Sequence, residues 1–139
     1  MAEQTFIVLG EPTGKARPRV TRFGSYTPEA TVMYENLVKV EYRRQCRDFR
    51  FEDGELLRMV IRAEYAIPMT TSKRKRQLML SGQIRPTKKP DLTNILKIIE
   101  DALNKIAYKD DSQIVSIVAE KFYSLRPRVE VQISSLSAP

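Results

Sequence analysis

The sequence predicts a single α+β domain, 1–139, with a mixed β-sheet, helices packed on it and the order β-α-β-α-α-β-β. Three observations carry this. A length of 139 residues with 42% hydrophobic content suits one domain with a real core. Apolar and polar residues alternate at 57–67 and again at 129–133, the period of half-buried strands. Ile95, Leu96, Ile98, Ile99, Ala102, Leu103 and Ile106 form one stripe at about 100° per residue, the period of an amphipathic helix. None of these patterns sets the strand order.

Taken in order, Met1–Gln4 is expected to be loose and Phe6–Leu9 a short buried strand. Residues 10–26 form a loop with three glycines, two prolines and the cations Lys15, Arg17, Arg19 and Arg22 beside Phe23 and Tyr26. Thr27-Pro28-Glu29 reads as a helix start with Thr27 as the cap. That helix is expected to reach about Cys46 with Met33, Tyr34, Leu37, Val38 and Val40 facing inward. Glu52-Asp53-Gly54 is a turn, and the strand after it closes at Pro68. Ser72 caps a short helix ending at Gly82. Residues 113–123 are apolar on both faces, which predicts an internal strand. The strand at 129–133 is expected to pair with it as a hairpin, and Ser134–Pro139 is read as a tail.

Charge narrows the function. The chain carries 24 Lys+Arg against 17 Asp+Glu, a net +7, and no histidine. Imidazole bases and His-ligated metals are therefore excluded. The single cysteine, Cys46, makes no intrachain disulfide and fits a reducing compartment. No signal peptide or membrane-spanning run is visible, so a soluble, intracellular protein without membrane contact is expected. Lys73, Arg74, Lys75, Arg76, Arg85, Lys88 and Lys89 form a second basic segment. With the first loop they hold eleven of the 24 cations. Such clustering suits a polyanion, and interleaved aromatics suit stacking on bases.

The chemistry concentrates in Lys88–Gln113. Pro90 disfavours helix at Lys89, so Asp91 falls at the helix mouth, and Asp110-Asp111 closes the stretch. Acid groups inside a basic protein suggest a metal held against phosphate. The same residues also suit plain capping and turn roles. Spacing alone does not bring Asp91 and Asp111 together, because a helix of about 15 residues spans roughly 22 Å.

The pattern Lys89-Pro90-Asp91, Asn94, Lys97, Asp101-Ala102-Leu103 and Lys109-Asp110-Asp111-Ser112-Gln113 resembles the signature of the RusA family of Holliday junction resolvases, common in prophages. The basic Lys15-x-Arg17-Pro18-Arg19 run followed by Tyr26-Thr27-Pro28 is similar to the N-terminal part of phage members. The resemblance implies a Mg²⁺-dependent endonuclease (Mn²⁺ as a substitute), acting as a homodimer on four-way DNA junctions in recombination and repair, in a bacterial cytoplasm at the nucleoid. It carries metal ligation onto Asp91 and Asp111 and the catalytic lysine onto Lys97. Many members have a second aspartate two residues after the first, where this chain has Thr93. Asp101, two turns further along roughly the same face, is a candidate third ligand, directly or through water, as are Glu100 and Asp110. Lys15, Arg17, Arg19, Arg74, Lys88 and Lys89 are the expected DNA contacts. Two rival readings remain: a non-catalytic junction- or nucleic-acid-binding protein, a resolvase descendant weakened at Thr93, and a small basic RNA-associated domain whose acidic motif is only capping and turn chemistry.

Overall fold

The computed structural model describes residues 2–136. Along the chain come β1 (Glu3–Leu9), two short strands β2 (Arg19–Thr21) and β3 (Gly24–Tyr26), and α1 (Glu29–Cys46). Then follow β4 (Leu57–Ala66), α2 (Lys73–Leu80), α3 (Leu92–Leu103), β5 (Ile114–Ser124) and β6 (Arg128–Ser135). The expected α+β order is observed, with a β2–β3 ribbon added inside the first basic loop. The ribbon left no periodic signal because every residue of its strands is exposed.

The main sheet has the order β1-β6-β4-β5. β1 and β6 are antiparallel, β6 and β4 are antiparallel, and β4 and β5 are parallel. Phe6 and Val8, then Leu57, Met59, Ile61, Ala63 and Tyr65, then Val129, Val131 and Ile133 are buried on one face. α1 and α3 pack against it. In α3, Ile95, Ile98, Ile99, Ala102 and Leu103 are each fully buried, as the amphipathic stripe requires.

Several expectations are corrected. β5 and β6 do not form a hairpin, because β4 lies between them. The short link Leu125–Pro127 still suffices: skipping one strand spans about 10 Å, within the reach of the chain between Ser124 and Arg128. β5 is therefore an edge strand, and Val115, Ile117 and Val118 on it are exposed. On α1, Tyr34 and Val38 face the core with Thr31, Tyr42 and Cys46. Met33, Leu37 and Val40 do not, and are 63%, 40% and 56% exposed. At 3.6 residues per turn these three form a second stripe on the opposite side of the helix. The cap position of α1 is Pro28 rather than Thr27 and has no side-chain cap bond; the extended backbone of Pro28 delays the helix. Finally, Glu3 and Gln4 pair with Ser134 and Ile133, so the loose start and part of the expected tail are sheet. Met1 and residues 137–139 lie outside the described residues.

The β4–β6 register has a direct check. Val60 pairs with Gln132 on the outer face of the sheet, close enough for a disulfide. With Cys46→Ala removing the native thiol, Val60→Cys with Gln132→Cys is expected to oxidise to an intrachain disulfide, read by mobility on a non-reducing gel and by mass. A β5–β6 hairpin in place of β4–β6 pairing would leave both thiols free.

Candidate metal and nucleic-acid site

α3 is buried on one side, so its other side presents the polar motif residues outward. Asp91 occupies the cap position in extended conformation, and its side chain makes no cap hydrogen bond. Its backbone carbonyl accepts from the amides of Asn94 and Ile95, at 3.1 and 3.0 Å. The helix thus begins without the Asp91 carboxylate, which stays exposed and uncommitted. The carbonyl of the preceding Pro90 accepts from the Tyr65 hydroxyl at 2.8 Å, which fastens the helix mouth to β4. Burial, with Glu11 and Asp91 close by, pushes the Tyr65 phenol up to about 12. Glu11 also accepts from the Ala66 amide at 3.1 Å. Like Asp91 it acts on the Tyr65 phenol, and no sequence pattern singled it out.

A cleft at this mouth is lined by Pro12, Thr13, Gly14, Lys15, Lys89, Pro90, Asp91 and Asn94. Its wall needs Gly14. A Cβ there would lie 2.7 Å from Cβ of Pro90 and 3.0 Å from Cβ of Asn94. The close approach lets the Lys15 amide donate to the Asn94 carbonyl at 2.9 Å. The Lys15 ammonium then bridges Glu35 of α1 at 2.7 Å and Asp101 of α3 at 3.2 Å. Desolvation is the largest single influence on the Lys15 pKa and lowers it, but hydrogen bonds and charge from Glu35 and Asp101 together outweigh it, so the pKa is raised. Lys97 lies 3.6 Å from Asp101, one turn back on α3.

The two aspartates of the closing turn do different work. Asp110 caps the single 3-10 turn Asp111–Gln113, accepting from the Ser112 amide at 3.3 Å. Hydrogen bonds from Ser112 hold its carboxyl below the usual range. Gln113 fixes the turn from beneath. Its amide donates to the carbonyls of Glu52 and Glu55, both at 3.0 Å, and accepts from the amides of Lys109 and Asp110 at 3.1 and 3.2 Å. Asp111 is left over, half-buried beside Glu100. Burial pushes the Glu100 carboxyl above its ordinary 4.5, Asp111 adds to the shift, and Lys97 opposes it. The Tyr108 hydroxyl donates to the Glu100 carbonyl at 3.0 Å and closes the floor.

The family model for Endodeoxyribonuclease RusA matches residues 10–134. The chain belongs to the RusA endodeoxyribonuclease family. It is 37% identical to the uncharacterised protein YqaN of Bacillus subtilis (strain 168) over 139 aligned residues, covering 96% of each chain. A shorter match, 39% identical over 51 residues, joins it to the crossover junction endodeoxyribonuclease rusA of Lactococcus phage r1t, covering 36% of this chain and 39% of the phage protein.

On this RusA-family chain the expected site residues fall in three places. Lys97, Asp101 and Lys15 meet in one ion-pair chain on α3, and Asp111 joins Glu100 at the helix's far end. Asp91 stands at the near end, about 13 Å from Glu100 along the axis at about 1.5 Å per residue. Among the described residues no three Asp, Glu or Cys side chains converge as a metal site. Thr93 is exposed on the first turn of α3. Of the expected DNA contacts, Arg17 and Arg19 are exposed in the ribbon arm, Arg74 on α2, and Lys88 and Lys89 beside Asp91. Lys15 instead holds the arm to α1 and α3. Lys121 donates to the Lys88 carbonyl at 2.7 Å and lies 5.3 Å from the Tyr65 ring, so it props the basic strip.

Two stability outcomes follow from this geometry. Gln113→Leu leaves four backbone groups unpaired and should cost about 2–4 kcal/mol in urea unfolding. Asp111→Asn should raise Tm at pH 7 by about 1–3 °C. The Glu100 penalty is absent below its unfolded value of 4.5 and complete above its raised folded value. The gain from Asp111→Asn should therefore vanish as melts are run from pH 7 down towards pH 4.

Proposed function

We propose that this chain is a divalent-metal-dependent endonuclease that resolves four-way DNA junctions by paired, symmetric phosphodiester hydrolysis. One observation carries the reading. The fold leaves two motif carboxylates uncommitted, Asp91 at the start of α3 and Asp111 against Glu100. In a basic protein, anionic groups held without counter-ions suit a hard cation with oxygen ligands, Mg²⁺ or Mn²⁺. Asp91 and Asp111 would hold it, with Asp101 as the third ligand. When bound, it supplies polarisation of a phosphoryl oxygen and activation of water.

The homodimer belongs to this proposal. Within one chain, Asp91 precedes the first turn of α3, while Glu100, the neighbour of Asp111, lies about 13 Å further along the axis. A two-fold axis that sets two copies of α3 antiparallel would bring the near end of one against the far end of the other. Two identical sites also match two symmetric nicks. The uncovered apolar stripe Met33-Leu37-Val40 is the kind of surface an obligate dimer buries. Lys97, 58% exposed and beside Asp101, would stabilise charge building on the scissile phosphate. Lys88, Lys89, Arg74, Arg17 and Arg19 would hold the strands, and the Lys15 ion pairs would keep the arm over the cleft. A bacterial cytoplasm, at the nucleoid, is where such a substrate is met.

Thr93 favours a second reading, a junction-binding protein without cleavage, since a hydroxyl is a poor substitute for a ligating carboxylate. A labelled synthetic four-way junction decides between them. With Mg²⁺ the chain should cut paired symmetric nicks, with none in EDTA. Asp91→Asn and Asp111→Asn should each lose at least about 100-fold in rate while keeping junction affinity, and Lys97→Ala should cut slowly. Tight binding without nicks under Mg²⁺ or Mn²⁺ would establish the second reading, and Thr93→Asp would then be the variant to test for cleavage. Magnesium at about ten times its Kd should raise Tm in the wild-type chain and not in Asp91→Asn.

A further inference from the structure

The β2–β3 ribbon is unlike the rest of the molecule. Every residue from Ala16 to Thr27 is exposed. The strands pair Arg19 with Tyr26 and Thr21 with Gly24, so Arg22 and Phe23 form the two-residue tip. Phe23 is 88% exposed and Val20 82%. The tip is nevertheless built. The Thr21 hydroxyl donates to the Gly24 carbonyl at 3.1 Å and accepts from the Phe23 amide at 3.2 Å. Gly24 takes φ +121, which only glycine adopts easily. The Arg22 guanidinium lies 4.9 Å from the centre of the Phe23 ring. A phenyl ring held out in water has no packing role within this chain.

The partner is set by charge. Arg17, Arg19 and Arg22 flank the ring, and no acid occurs between Pro12 and Pro28. The ribbon root is fixed on the candidate site by Gly14 against Pro90 and by the amide of Ala16 donating to the Thr31 hydroxyl at 3.2 Å. From Lys15 the chain reaches Phe23 within at most about 26 Å, less than one turn of duplex at about 34 Å. A ring on a cationic ribbon, rooted beside a candidate cleavage site, suits a place where DNA bases are already poorly stacked.

We propose that Phe23 is a wedge that inserts between bases at the branch point of a DNA junction, with Arg17, Arg19 and Arg22 on the adjoining phosphates. The ribbon thereby recognises branched over linear DNA. Apolar side chains between base steps unstack them, and the branch point is where unstacking is easiest. This rests on the junction-binding part of the proposed function and not on its metal chemistry.

The test uses the full chain, EDTA present, and a four-way junction carrying 2-aminopurine at the branch point, a base that brightens when unstacked. The wild-type chain should shift the junction on a gel and raise the fluorescence. Phe23→Ala should bind linear duplex as the wild-type chain does, lose about tenfold of its preference for the junction, the order of one base–aromatic stack, and lose the fluorescence rise. Phe23→Trp should keep both. An equal rise in Phe23→Ala and the wild-type chain overturns the wedge and leaves junction binding standing. Failure of the wild-type chain to shift the junction overturns both. A change of oligomeric state in Phe23→Ala, by light scattering, would show that the ring packs on protein and also overturns the wedge.

Discussion

Helix α3 buries Ile95, Ile98, Ile99, Ala102 and Leu103 against the sheet, and most of the geometry that matters follows from that burial. At about 1.5–3 kcal/mol for a large apolar side chain, the face contributes on the order of 10 kcal/mol before conformational entropy. Net stabilities of domains are of the same order, so rotation of the helix about its axis is not a small adjustment. With the apolar side fixed inward, Asp91, Asn94, Lys97 and Asp101 have one direction left. The position of each motif residue is thus set by side chains on the other side of the same helix.

Stability and chemistry pull against each other at the far end of that helix. Asp111 and Glu100 sit close enough for burial and repulsion to raise the Glu100 pKa. A protein selected for stability alone would place a neutral group or a cation there. The near end is treated differently, since Asp91 is left without a cap hydrogen bond although it occupies the cap position. Lys15 marks the contrast. Its ion pairs to Glu35 and Asp101 are partly shielded and join three segments, so that charge is used to hold the architecture together while the exposed cations of the arm are not.

Much of this was legible in the residues. The α3 stripe is strictly periodic, and its mouth at Asp91 follows from Pro90. The strand at 57–66 alternates cleanly, and the motif spacing identified the family. What failed was information that one segment does not hold. Residues 113–123 are apolar on both faces, yet β5 is an edge strand, because strand order depends on what the rest of the sheet offers. On α1, Met33, Leu37 and Val40 are as apolar as Tyr34 and Val38, and only the position of the sheet says which stripe faces it. Asp110 and Asp111 are adjacent and chemically alike. Their division into a cap and a free carboxylate depends on Gln113 reaching the carbonyls of Glu52 and Glu55, a contact across the fold with no local sequence signature.

The strand order has a consequence for synthesis. β1 is made early, yet its sheet partner is β6, which is made late. β4 waits as well, since both its neighbours follow it in the chain. While the ribosome is still adding residues 67–113, Leu57, Met59, Ile61 and Tyr65 have no strand beside them. Sheet formation therefore waits for β5 and β6, with apolar strand edges open until the last third of the described chain has emerged, the condition under which nascent chains aggregate or recruit chaperones.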